Sequence, residues 1–210
     1  MSETVEPTTQ KNGWGIKEIV NVVLFGVLTG VLLMLGATFT IFNDAIAMIF
    51  SGPVGVLLAA PVFVLMVRRV DRFGVATVFG VLFGVFIALA KGDLLLSVYY
   101  IFFAVLMDVI FLRKREQRRK SGNVIGAWSL WSLAYVFGTL IPVFKDKQKY
   151  FDAMEQSPNY TDEYIAAFEH YWMNPVWVGI ILAISVAFGA LGAWFGARMT
   201  RKHFEKAGVL

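Results

Sequence analysis

Polar side chains able to do chemistry are few in this sequence, and they gather where long apolar runs end. Asn43 and Asp44 follow the first run, and Lys91 and Asp93 lie between the third and fourth. Tyr99, beside Tyr100, opens the fourth run, while Tyr135 and Thr139 stand late in the fifth. Lys145 and Asp146 come next, and Tyr164, His170, Trp172 and Asn174 complete the set before the last run. Aromatic walls with a few polar groups suit a small, partly flat organic ligand, so these thirteen residues are the candidate substrate-binding set. Residues of the same types also serve as anchors where helices leave a bilayer.

Catalysis has no comparable set. The sequence holds no HExxH, GxSxG, paired intramembrane aspartates or P-loop, so no enzyme activity and no cofactor are expected. Any ATP-driven work must then come from a separate chain. Cysteine is absent, which removes disulfides, thiolate metal sites and cysteine nucleophiles. The two histidines, His170 and His203, are far apart and make no multi-histidine centre. Imidazole suits the iron or cobalt of a tetrapyrrole, but a lone histidine reads as an ordinary polar residue, and no metal site is assigned.

The elements that must carry these residues follow from composition. The chain has 210 residues, 58% of them hydrophobic and 16% charged, with a mean hydropathy of +0.66. A soluble domain carries about 25% charged residues, so the chain belongs in a bilayer. Apolar stretches at about 19–42, 46–67, 73–90, 95–112, 124–143 and 175–198 each approach the roughly 20 residues needed to span one. The expected fold is an all-α bundle of six transmembrane helices, with tails at 1–18 and 199–210 and no room for a soluble domain. Residues 1–18 lack the pattern of a signal peptide. In the second span, Gly52, Pro53 and Gly55 predict tilting, unwinding or partial re-entry of the outer turns.

Charge placement orients the bundle. Fifteen of the nineteen Lys and Arg fall on one side, in the N-terminal tail, in the connections holding Arg68 to Arg72 and Arg113 to Lys120, and in the C-terminal tail. The positive-inside rule then places both termini in the cytoplasm and the connection 144–174 outside. The net charge of +4 thereby reads as a topology marker, not as a nucleic-acid surface, although acidic lipid heads remain partners for such runs.

Loops longer than about 12 to 15 residues are usually functional or disordered, and 144–174 carries the marks of order. Ser157, Pro158 and Asn159 predict a turn, and Thr161 an N-cap followed by Asp162 and Glu163. Tyr164, Ile165, Phe168, Tyr171 and Trp172 recur at helical spacing, which predicts a short amphipathic helix, an interfacial anchor or a lid over an external pocket. Small residues recur at three- or four-residue spacing in Gly26 and Gly30, in Ala76, Gly80, Gly84 and Ala88, and in Gly189, Gly192 and Gly196. Such stripes let backbones approach closely. The third- and sixth-span series predict packing inside the bundle, and Gly26 with Gly30 also admits contact with another subunit. Asp108 is the single acid well inside a predicted span; about one turn from the basic run at Arg113, it predicts an ion pair near the inner surface, ahead of an ion relay.

The whole chain, over about residues 17–208, resembles the substrate-binding S components of energy-coupling-factor (ECF) transporters, in the MptD-like group also labelled Trep_Strep. The likeness rests on KEIVNVVLFGVLTG, RRVDRFGVATVFGVLFG, VLMDVIF before a basic loop, YFDAMEQ, WMNPVW, and the tail GARMTRKHFEKAGVL. It implies a six-helix S component with both termini cytoplasmic, binding a vitamin or related micronutrient from outside. It further implies a transmembrane coupling subunit and two cytoplasmic ATP-binding subunits as partners, with Gly26 and Gly30 in the place where such proteins touch the coupling subunit. Two other classes remain open from the residues alone: a structural or assembly subunit of a membrane complex, and an autonomous ion-coupled carrier.

Overall fold

The computed structural model describes residues 13–38 and 42–205. Residues 1–12, 39–41 and 206–210, with Lys11 and Lys206 of the charge count, lie outside the described residues, as does the side chain of His203.

The helices are α1 (Ile16–Thr38), α2 (Asp44–Val70), α3 (Val75–Lys91), α4 (Leu94–Ile110), α5 (Arg115–Arg119), α6 (Ser121–Phe137), α7 (Ile141–Lys145), α8 (Lys147–Glu155), α9 (Asp162–Trp172) and α10 (Pro175–Met199). A 3-10 turn, Gly138–Leu140, joins α6 to α7, and α10 runs on into a π-helical stretch, Thr200–Glu205. No strand occurs among the described residues. Four helical segments are long and apolar enough to cross a membrane: Ile16–Gly36, Asp44–Val70, Ser121–Lys145 and Pro175–Lys202. The apolar helices α3 and α4 have 17 residues each, or roughly 26 Å at 1.5 Å per residue.

Helix α2 is the centre of the bundle, packed against α1 on one side and α10 on the other. The expected break at Gly52, Pro53 and Gly55 is not found, and α2 runs unbroken through Pro53 and Pro61. Packing explains why. Proline deprives the carbonyl four residues earlier of its donor, and a bundle tolerates this where neighbouring helices close over the gap. The backbones of Gly36 in α1 and Gly55 in α2 meet directly. From α10, a β-carbon added at Gly192 would stand 2.5 Å from Leu57 O, the carbonyl that Pro61 leaves unpaired, and one at Gly196 would stand 2.6 Å from Pro61 Cα. Glycine in α3 works the same way: Gly80 admits Ala104 of α4, and Gly84 admits Ile101 and the carbonyl of Ser97. The third- and sixth-span stripes are thus packing surfaces, as their spacing predicts.

The buried core is aromatic. Phe63, Phe79, Phe83, Tyr100, Trp128 and Trp131 pack in one cluster, with Phe63 4.6 Å from Trp128 and Phe79 4.9 Å from Trp131 between ring centroids. Trp128 Nε1 donates to Val56 O at 2.9 Å, tying α6 to α2.

One end of the bundle collects the basic residues. Asp71, in the left-handed region at φ 44°, accepts from Arg115 Nε at 2.9 Å, Arg118 Nε at 3.1 Å and Arg119 Nε at 3.3 Å. Arg68 Nη2 donates to Ser121 Oγ at 2.8 Å, Arg72 pairs with Glu18 at 3.5 Å, and Trp14 Nε1 donates to Phe73 O at 3.0 Å. Asp108 lies near this end but forms no ion pair among the described residues, contrary to the sequence expectation. Its Oδ2 accepts from Thr77 N at 2.6 Å and Thr77 Oγ1 at 2.7 Å, and its Oδ1 accepts from Ala76 N at 3.3 Å. The reason is local: Gly74, the N-cap of α3, has no side chain to cap the helix, and the orphan amides of the first turn draw the carboxylate from α4.

Candidate functional site

The opposite end of the bundle carries the segment 144–174 folded as two helices. Helix α9 has the predicted start, with Thr161 Oγ1 accepting from Tyr164 N at 3.2 Å. The predicted turn is present, with Tyr160 N donating to Ser157 O at 3.3 Å. Helix α8 is not anticipated by the sequence reading, although Asp146 is a clear start signal: its Oδ1 accepts from Lys149 N at 3.0 Å. Lys147 in α8 approaches Glu169 in α9 at 3.9 Å.

This pair caps the bundle through a second core. Met154, Phe168 and Trp172 pack with Met48 of α2, Val136 of α6, Leu140 of the 3-10 turn, Val143 of α7 and Ile181 of α10. Phe168 is stacked on Trp172 at 6.2 Å. Burial pushes the Tyr150 phenol up to about 12, with Tyr160 and Tyr164 adding to the shift. It also raises Tyr164, helped by Tyr160 and by Asp44 at the start of α2.

The structure divides the thirteen candidate residues into groups. Asp93, Lys145 and Asp146 meet in an open groove of about 440 Å³ that Pro142, Lys149, Tyr150 and Ala153 complete. Lys145 Nζ is 3.9 Å from Asp93 Oδ1, and Asp93 also caps α4 by accepting from Leu96 N at 3.1 Å. Four of the groove residues are absent from the candidate set, and of these Lys149 and Tyr150 bring polar groups. Their signal was the Asp146 cap, which sets α8 and so brings positions 149, 150 and 153 to one face.

A second group lies deeper. Tyr99 Oη donates to Ala134 O at 3.1 Å and Tyr100 Oη to Tyr135 O at 3.2 Å, fastening α4 to α6. Tyr135 is half-buried between the central core and the cap core, and Thr139 is half-buried one turn further along. The remainder are spread over the cap. Asn43 and Asn174 spend their side-chain oxygens capping α2 and α10, accepting from Ile46 N and Val176 N at 3.0 Å each. Lys91 is exposed at the end of α3. Tyr164 stacks near Tyr160 at 5.1 Å, Trp172 is buried in the cap core, and exposed His170 meets Tyr171 edge-on at 4.8 Å. Among the described residues, no group of three His, Cys, Asp or Glu is placed to hold a metal ion.

Gly26 and Gly30 are nowhere near this end group. They line a separate apolar groove of about 180 Å³ between α1 and α3, walled by Val27, Val31, Met34, Phe79, Leu82, Phe83 and Phe86. A β-carbon at Gly30 would touch nothing within 4 Å and one at Gly26 would meet Leu82 and Phe79 only at an ordinary 3.6 Å, so neither is crowded as the packing glycines above are.

A family model described as a hypothetical bacterial integral membrane protein (Trep_Strep) matches residues 16–206. No curated protein and no solved structure matches the chain.

Proposed function

Taking as premise that this chain belongs to the Trep_Strep family of bacterial integral membrane proteins, we propose that it is the non-catalytic, substrate-binding S component of an ECF-type importer. In this reading α3 and α4 cross the cell membrane together with the four longer segments, both termini are cytoplasmic and the basic end faces inward. The cap and its charged groove face outward, where the groove takes up a vitamin or related micronutrient. Energy comes from two ATP-binding subunits through a transmembrane coupling subunit, which docks on the Gly26 and Gly30 groove.

The observation that carries this reading is the separation of two unfilled surfaces. A polar groove lies at the capped end of the bundle, and an apolar groove opens in its lateral wall. A small polar ligand suits the first and a partner helix suits the second. A purely structural subunit has no use for the first. An ion-coupled carrier would want a free intramembrane acid, and the carboxylate of Asp108 is engaged in capping α3.

The test is reconstitution. The chain is placed in proteoliposomes with and without an ECF coupling subunit and its two ATPases, and uptake is followed across a panel of labelled vitamins. ATP-dependent accumulation of one compound only in the complete assembly is expected. Accumulation by the chain alone, or none with any member of the panel, sinks the proposal.

A further inference from the structure

The last turns of α10 carry a face that the bundle does not cover. Gly192, Ala193, Gly196, Ala197 and Thr200 are buried, whereas Leu191, Trp194 and Phe195 are each more than half exposed. Arg198, Arg201 and Lys202 continue the exposed side. Residues three and four apart share one side of a helix, so this face runs as a stripe, apolar first and cationic at its end. The segment Pro175–Lys202 has 28 residues, roughly 42 Å at 1.5 Å per residue, against a hydrocarbon core of roughly 30 Å. The cationic end of the stripe therefore stands at the level of the lipid headgroups, and its apolar part faces the acyl chains.

These three cations differ from their neighbours at the basic end. Asp71 holds Arg115, Arg118 and Arg119, and Glu18 holds Arg72. Among the described residues Arg198, Arg201 and Lys202 meet no carboxylate, and the segment Pro175–Lys202 contains no Asp or Glu. Arg198 is positioned in another way, with its guanidinium over the Trp194 ring at 5.5 Å from the centroid. A cation–π contact of this kind engages the charge of the guanidinium and spends none of its N–H donors on a conventional acceptor. Those donors form the fork that binds a phosphate. An open fork beside two further cations at headgroup depth is complementary to a phosphodiester, and the apolar side chains next to it are complementary to an acyl chain.

We propose that this stripe is a binding site for one anionic phospholipid. Its phosphate is held by Arg198, Arg201 and Lys202, and one acyl chain lies along Trp194, Phe195 and Leu191. A zwitterionic lipid offers the same phosphate but brings a cation of its own into a site that already holds three, so the site selects by headgroup charge. The bound lipid supplies to the end of α10 the counter-charge that Asp71 supplies to α5, and it fixes the depth of that helix end in the membrane. The stripe shares no residue with either groove, and the inference is independent of the transport reading.

The test uses the full chain in phosphatidylcholine nanodiscs that contain a small fraction of lipid with brominated acyl chains, which quench a tryptophan only on contact. The Trp194 signal is the difference between the parent chain and Trp194→Phe. Brominated phosphatidylglycerol is expected to half-quench it at a mole fraction about tenfold lower than brominated phosphatidylcholine, a selectivity on the scale of one to two basic residues at a membrane surface. Arg198→Gln is expected to cut that preference about fivefold, and the triple variant Arg198→Gln, Arg201→Gln, Lys202→Gln to remove it. A control triple variant, Arg113→Gln, Lys114→Gln, Lys120→Gln, takes the same charge from exposed positions elsewhere at the basic end and is expected to leave the preference unchanged. Equal quenching by the two lipids overturns the site, and so does an equal loss in both triple variants, which would assign the selection to the diffuse field of the basic end. A second readout needs no tryptophan replacement. Native mass spectrometry of the chain released from mixed nanodiscs is expected to show a retained phosphatidylglycerol on the parent and the control variant and none on the α10 triple variant; equal retention on all three overturns the proposal.

Discussion

Arg118 Nε donates to Asp71 Oδ1 at 3.1 Å while Arg118 Nη2 donates to the backbone carbonyl of the same residue at 3.2 Å. Two more bonds run from Nη1 to Leu112 O at 2.9 Å and Arg113 O at 3.1 Å. A buried guanidinium thus clamps the turn between α2 and α3 to the connection after α4. The basic end has a structural role beyond orienting the chain: three of its arginines, Arg115, Arg118 and Arg119, are held in place by one aspartate.

Removing that aspartate should leave Arg118 as an uncompensated buried charge. Asp71→Ala is expected to lower stability by about 3 kcal/mol, the scale for breaking a buried pair. Arg115→Ala removes an exposed partner of the same carboxylate and should cost under about 1 kcal/mol. Thermal unfolding of the purified variants in nanodiscs separates the two; equal losses would mean that Arg118 is not the keystone of the cluster.

Asp108 gives a prediction of a different kind. Its oxygens serve the first-turn amides of α3, so Asp108→Ala should cost about 1–2 kcal/mol, in the range of a lost helix cap. Asp108→Asn keeps one acceptor oxygen and should lose less, with ligand affinity unchanged. A relay acid would behave oppositely, tolerating neither change. Binding isotherms and unfolding curves on both variants decide between these outcomes.

How much of this was legible beforehand depended on whether the signal was local. The α9 cap at Thr161, the aromatic repeat behind it and the segregation of basic residues are properties of short stretches, and the structure shows each of them. Asp108 was misjudged because its partners lie more than thirty residues away in sequence, and proximity to Arg113 was the only cue in view. Pro53 misled for the same reason: the glycines that pack against α2 belong to α1 and α10, with Gly36 against Gly55 and Gly192 and Gly196 against Leu57 and Pro61.

The glycines make a paired prediction. Gly30→Leu projects into the open groove and should leave the fold intact, with unfolding unchanged to within about 0.5 kcal/mol, while association with a coupling subunit is lost. Gly36→Leu drives a side chain into the backbone of Gly55 and should destabilise by about 3 kcal/mol or more. Pull-down and unfolding measured together keep the two apart. Loss of stability in both variants would show that the lateral groove is filled in the folded state.

The cap supplies a pH dependence whose sign follows from burial. The Tyr150 phenol titrates at about 12 in the folded chain, above its usual 10. The folded state therefore holds this proton more tightly than the unfolded one. Its contribution is complete below pH 10 and declines as pH rises from there toward 12. Tyr160 and Tyr164 stand close enough to add their own charges to that loss. Tyr150→Phe cannot ionise, so in this variant the alkaline loss of the packing between α8 and α9 should begin at higher pH than in the parent chain. Near-ultraviolet circular dichroism followed from pH 9 to 12 reads that packing, and superimposable curves for the two proteins would assign the alkaline transition to other groups.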